Sequence, residues 1–291
     1  MTSPVYTCLH CGMTATLTPG QQFCTNCHQP LTAVAPTAAA PLPSSVRAAQ
    51  GAIPYESGHT RAQWAVGLLA VSIMLDLISM ISDFLEMGLL SSASNGGTIS
   101  TVDAAANDSR QALIAVGQVL VYIATVVAFL LWIHRAYRNL PALGTSGLKY
   151  SPRWAVGGFF VPFLNLVRPF QVMREIWQAS SPDADPRSST AWQTVLITPL
   201  PGVWWGSWLL GNVCGQLAVR TATGGNLEQL ILSDWLSITS LVLNIVAAAL
   251  LIRIIRTIDS GQEERRRRMA ELILPPASAP AVGWSPSPPG A

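Results

Sequence analysis

The chain reads as an all-α integral membrane protein: four transmembrane helices, a re-entrant or interfacial amphipathic segment between the second and third, and a small cysteine-bearing module in front. Three observations predict this. Hydrophobic residues make up 50% of the 291 positions and charged residues only 11%, about half the charged share of an ordinary soluble domain. The apolar residues gather into four runs that approach or exceed the ~20 residues needed to cross a bilayer core. The few cations are distributed unevenly around those runs.

The N-terminal module comes first. Cys8-Leu-His-Cys11 and Cys24-Thr-Asn-Cys27 are two CxxC knuckles separated by 12 residues. Two thiolates at this spacing point into one tetrahedral site, and a second pair completes a four-cysteine zinc centre. Gly12 lets the backbone turn tightly behind the first knuckle, and Phe23 is expected to pack over the site. A module of roughly 30 residues cannot bury enough surface alone, so it needs the metal to fold. A redox pair would be expected in a βαβ context that is absent here, and a reducing compartment disfavours disulfides. The motif resembles the short zinc ribbons at the ends of many bacterial proteins, over about residues 6–30. His10 and His28 flank the knuckles and are read as neighbours of the site.

Residues 31–60, rich in Ala, Pro and Ser, are expected to form a flexible tether. Four spans follow, at about 64–90, 112–133, 192–219 and 235–252. Each must be helical, because an open strand in lipid leaves backbone groups unpaired. Two Lys or Arg precede the first span, seven lie between the second and third, and six follow the fourth; Arg110 and Arg220 alone lie across. This split of 15 against 2 predicts that both termini are cytoplasmic and that the protein sits in the cell membrane. Nothing at the N-terminus resembles a signal or transit peptide, so the first span is expected to act as the uncleaved insertion signal.

Residues 154–167, WAVGGFFVPFLNLV, offer a fifth span on paper. That topology would leave seven cations inside and ten outside. A run of 14 residues better suits a re-entrant or interfacial element. Gly157, Gly158 and Pro162 break helix continuity, and Asn165 is placed to bond the interrupted backbone. From Pro169 onward, Val172, Met173, Ile176 and Trp177 make one apolar face, read as lying on the membrane surface. After the fourth span, Arg265, Arg266, Arg267 and Arg268 form a basic run expected to meet anionic headgroups. Residues 259–291 are read as this basic segment and a disordered Pro-rich tail.

The block from 135 to 180 carries a recognisable order of motifs. Tyr137-Arg138-Asn139-Leu140 is followed by Tyr150-Ser151-Pro152 and Trp154-Ala155-Val156-Gly157, then Pro162-Phe163-Leu164-Asn165-Leu166 and Arg168-Pro169-Phe170, closing on Met173-Arg174-Glu175-Ile176-Trp177. In this it resembles the bacterial membrane family called domain of unknown function 4328, over about residues 60–258. Arg153 stands where that family usually has glycine. The resemblance implies a membrane topology and no activity.

Within the spans, Asp76 lies 12 positions past Trp64, near the midplane of the first helix. A carboxylate there costs roughly 2.5–3.5 kcal/mol on insertion scales, so it faces a polar interior or a pathway. Asp83 and Glu86 extend the same face outward. Either this stripe guides protons or cations, or Asp76 is bonded to Gln118 or Asn244 of a neighbouring span. In the third span Ser207, Gly211 and Gly215 recur every four residues, a spacing that lets helices approach closely and offers a route to a homo-oligomer. Cys214 is a packing residue.

No catalytic set emerges. Gly206-Ser207 has no matching histidine, and a net charge of +2 gives a nucleic-acid role no support. The function predicted is a membrane-anchored binding or regulatory module whose zinc ribbon meets a cytoplasmic protein. The alternative is a transporter or channel component for protons, ions or a small substrate, using the acidic face of the first helix.

Overall fold

The computed structural model describes residues 5–8, 10–16, 23–29, 42–223 and 226–273. The Pro-rich tail at 276–290 and the first half of the tether lie outside these residues. The chain divides into two units, residues 1–43 and 44–291.

In the first unit, β1 (Val5–Thr7) and β2 (Thr14–Thr16) pair antiparallel, with Val5 opposite Thr16 and Thr7 opposite Thr14. The turn between them carries the first cysteine knuckle.

The second unit is helical: α1 (Ser44–Gln50), α2 (His59–Ser94), α3 (Thr101–Asn139), α4 (Pro152–Gly157), α5 (Arg168–Ser180), α6 (Leu200–Ala222) and α7 (Leu227–Ile273). Ser100 caps α3 by accepting from the Asp103 N–H at 3.0 Å, and Ser151 caps α4 ahead of Pro152. These are the caps expected from a hydroxyl at Ncap and proline at N1. α2 ends at Asn95, followed by Gly96 in the left-handed region, as helix termini favour.

Three helices, α2, α3 and α7, are long and apolar enough to cross a membrane. α6 has 23 residues, also enough length at 1.5 Å per residue, but its Gly, Ser, Asn and Gln residues dilute its apolarity. The predicted third span differs at its start. Ala191–Thr194 is a 3-10 turn, and helix begins only at Leu200, because Pro199 disfavours helical geometry in Thr198. α2 packs against α3 and α7, and α7 packs against α6. α7, at 47 residues, is ~70 Å long, more than twice the ~30 Å hydrocarbon core. Its last turns lie beyond any bilayer and pack on α5, α1 and the 3-10 turn Pro141–Leu143.

That end of the bundle holds the core. Trp132, Ile133, Tyr137 and Leu140 of α3 meet Val172, Met173 and Ile176 of α5 and Ile254, Ile255 and Ile258 of α7, all essentially buried. This corrects the reading of α5. Its apolar face is covered by protein, not laid on a membrane, since amphipathicity shows that a face is buried without showing by what. The tether is corrected as well. Its second half is ordered against the helical unit: Ser45 and Val46 are buried, Ser44 bonds the backbone of Arg187 and Ser189, and Tyr55 donates to Glu263 at 2.8 Å.

Candidate functional site

The four cysteines are built by two copies of one backbone device. The Cys8 N–H donates to Met13 O at 2.8 Å and the Gly12 N–H to Cys8 O at 2.8 Å; the Cys24 N–H donates to Gln29 O at 2.9 Å and the His28 N–H to Cys24 O at 3.0 Å. Gly12 and His28 occupy equivalent positions at φ +72° and +54°. Each loop turns its two thiols to the same side. Cys8 Sγ lies 3.6 Å from Cys27 Sγ, Cys11 Sγ lies 3.7 Å from Cys24 Sγ, and all four lie within 4.8 Å of one another. A tetrahedron with Zn–S bonds of about 2.3 Å has edges of ~3.8 Å. The observed separations fit it.

Charge points the same way. Backbone N–H groups of Cys11 and His10 lower the pKa of Cys8, and those of Cys27 and Asn26 bring Cys24 down to about 6. For Cys27 the Gln29 N–H works downward, but burial and three neighbouring sulfurs push the thiol up to about 12. Thiolates this close repel one another unless a cation neutralises them. The set therefore suits a thiolate-binding metal ion. His10 and His28 are exposed, and the cluster is made of cysteines alone among the described residues. Phe23 is half exposed, and Ala15 packs against the buried Cys8 and Cys24.

The polar residues of α2 are reached from α3 and α7. Gln118 Nε2 donates to Asp76 Oδ1 at 3.1 Å, while Asn244 turns instead to Ser240 and the α6–α7 seam. Asp83 is buried, accepting from Ser237 Oγ at 2.8 Å and from Gln111 Nε2 at 3.4 Å; Gln111 also donates to Glu86. Ser237, Gln111 and the nearby Asp234 are not legible in the sequence as members of this group, since they lie on other helices. The small-residue stripe is used within the chain. A Cβ on Gly211 or Gly215 would come within 3.1 Å of Asn244 or Ser240 of α7, and Ser240 Oγ donates to Gly211 O at 2.8 Å.

In the broken segment, Asn165 bonds through its backbone N–H, to Val161 O at 3.0 Å, and Phe163 takes a positive φ of 64°. Trp205 of α6 donates to Leu166 O at 2.8 Å, tying the segment down.

The basic run is corrected at one position. Arg265 is only 4% exposed and donates to Ser181 O at 3.1 Å and Leu143 O at 3.3 Å, capping the C-terminal ends of α5 and the 3-10 turn. Cations suit that end of a helix. Arg268 bonds Pro182 O and Glu264, whereas Arg266 and Arg267 are exposed and paired with Glu263 and Glu264.

The same end of the helical unit holds buried hydrogen bonds built from the motif block. Tyr137 Oη donates to Glu175 Oε2 at 3.0 Å and accepts from the Tyr150 N–H at 2.9 Å; Glu175 also accepts from the Lys149 N–H at 2.6 Å. Asn139 donates to Glu56 O at 2.8 Å, and Gln262 donates to Ala136 O at 2.9 Å and to Ser180 Oγ at 3.1 Å. Tyr137, the Tyr150 N–H and Glu175 thus satisfy one another, while Asn139 is satisfied by Glu56 and Gln262.

A helical membrane body and an N-terminal four-cysteine cluster define the class of this protein. It belongs to the family described as "Domain of unknown function (DUF4328)", which matches residues 95–260, from just before α3 to well into α7. No curated protein and no solved structure matches the chain.

Proposed function

We propose that the chain is a membrane-anchored binding module that crosses the cell membrane four times, keeps both ends in the cytoplasm and presents a zinc-loaded ribbon to a cytoplasmic protein. The observation that carries this reading is the closed set of four thiols within 4.8 Å. Four protein ligands leave no open coordination position, which marks a structural rather than a hydrolytic metal. The charge asymmetry of the loops supports the orientation. The length of α6 and its lack of charge up to Arg220 support its being a span as well, the third of the four. Exposed Trp154, Phe160, Phe163 and Leu166 support the broken segment resting in the membrane interface.

The test is co-purification in mild detergent of the intact chain and a Cys8→Ser/Cys11→Ser variant. The reading expects a partner held by the first and lost by the second, with both inserted in membranes. Capture by the variant at the parental level would overturn it.

Transport is the second reading, motivated by the carboxylates of α2 that amides of α3 line. It predicts that Asp76→Asn eliminates a flux measured in reconstituted vesicles.

A further inference from the structure

Three elements converge where the apolar segments of α2 and α3 meet α4. α2 contributes Arg61, three residues before the exposed Trp64; α3 contributes His134, Arg135 and Arg138 just past its apolar run; α4 contributes Arg153, next to the exposed Trp154. α4 packs on α3, and α3 on α2. The cations are close enough to repel: Arg61 feels Arg135 and Arg138, and His134 feels Arg61, Arg135, Arg138 and Arg153.

Compensation is incomplete. Glu56 pairs with Arg135 and also attracts Arg61. Arg61, Arg138 and Arg153 have no hydrogen-bond or ion-pair partner among the described residues. Three unpaired guanidiniums around one imidazole cost the fold energy, so the arrangement calls for an anion from outside. Arg forks match phosphate oxygens. Trp64 and Trp154 flank the group, and exposed tryptophans of this kind sit at the headgroup level of a bilayer. The neighbouring Phe160, 70% exposed, and Phe163, 86% exposed, offer apolar ground for acyl chains.

We infer that Arg61, Arg138 and Arg153, gathered around His134, form a binding site for the phosphodiester headgroup of an anionic phospholipid. The chemistry recognised is the phosphate; the source is the lipid, because the cations stand beside interfacial tryptophans and exposed apolar side chains. The site rests on the membrane body alone and is independent of the ribbon reading.

The experiment is native mass spectrometry of the full chain in detergent, titrated with phosphatidylglycerol or phosphatidylcholine. The parent should retain phosphatidylglycerol preferentially. Each arginine near a membrane surface contributes about fivefold, so Arg138→Gln/Arg153→Gln should weaken retention about 25-fold. Arg174→Gln/Arg187→Gln removes the same charge from exposed positions outside the group and should leave retention within about twofold. Arg153→Gln alone, at an exposed position without partners, should cost about fivefold and decides the matter if the double variant does not fold. Equal losses from the two double variants, no preference for phosphatidylglycerol, or displacement of the lipid by excess inorganic phosphate would overturn the inference.

Discussion

At Gly261, α7 passes close against the end of α5. A Cβ there would lie 2.5 Å from Ser180 O, whereas ordinary contact begins at 3.4 Å. Gly261→Ala must therefore push α7 and the end of α5 apart by about 0.9 Å. That movement takes the Gln262–Ser180 and Arg265–Ser181 bonds, each 3.1 Å, to about 4 Å, beyond hydrogen-bond reach. Either the overpacking or the lost bonds cost about 2–3 kcal/mol. Alanine returns about 1 kcal/mol of helix propensity, leaving a net loss of about 1–2 kcal/mol. For a chain of this size the apparent melting temperature should fall by roughly 2–4 °C per kcal/mol. Gly206 of α6 is the control, since a Cβ there meets nothing within 4 Å. Gly206→Ala should be neutral or raise the transition. Thermal unfolding of the purified chain in detergent, followed by loss of the monodisperse gel-filtration peak, measures both. Equal shifts in the same direction would refute the packing described for this end of the molecule.

Arg265→Ala should lower the same transition strongly, by about 2–4 kcal/mol, because two buried carbonyls lose their donor; Arg267→Ala, at an exposed pair, should stay within about 0.5 kcal/mol. Burial raises the pKa of Glu175 above its ordinary value despite the bonds from Lys149 and Tyr137. A carboxyl raised in the folded state contributes stability below its unfolded pKa and loses it as pH rises through the folded value. Relative to the parent, Glu175→Gln should therefore gain stability as pH is raised from about 4 to 7, read from melting temperatures across that range. Gly12→Ala places a side chain at φ +72° with open space around it, so it should cost about 1–2 kcal/mol of strain alone and weaken metal retention in a chelator competition.

Much of this architecture is written in hydropathy. The long apolar runs locate α2, α3 and α7, because lipid tolerates few charges, but they understate each helix at its ends. Beyond Arg253 charged residues break the apolar run, so hydropathy alone does not carry α7 on to Ile273, although Ile254, Ile255 and Ile258 there are buried. The CxxC spacing identifies the four thiols because a short knuckle can close only locally. His28 at the position matching Gly12 is invisible to a search for glycine. Arg265 looks like its three neighbours in sequence; only the approach of α5 to Gly261 separates it from them. Asp83 is readable as a costly group in α2, but its donors Ser237 and Gln111 depend on which helices pack together. The order of tyrosine, asparagine and glutamate in the motif block is recognisable in the sequence, but the reason for it is not. In the fold, Tyr137 and Glu175 bond each other while Asn139 bonds Glu56 and Gln262, partners brought together only by packing.

Metal content of the full-length chain tests the central claim most directly. Purified without added metal and analysed by inductively coupled plasma mass spectrometry, it should carry one zinc per chain, and the Cys8→Ser/Cys11→Ser variant should carry almost none. A metal-free parent, or zinc retained by the variant, would contradict the four-cysteine centre.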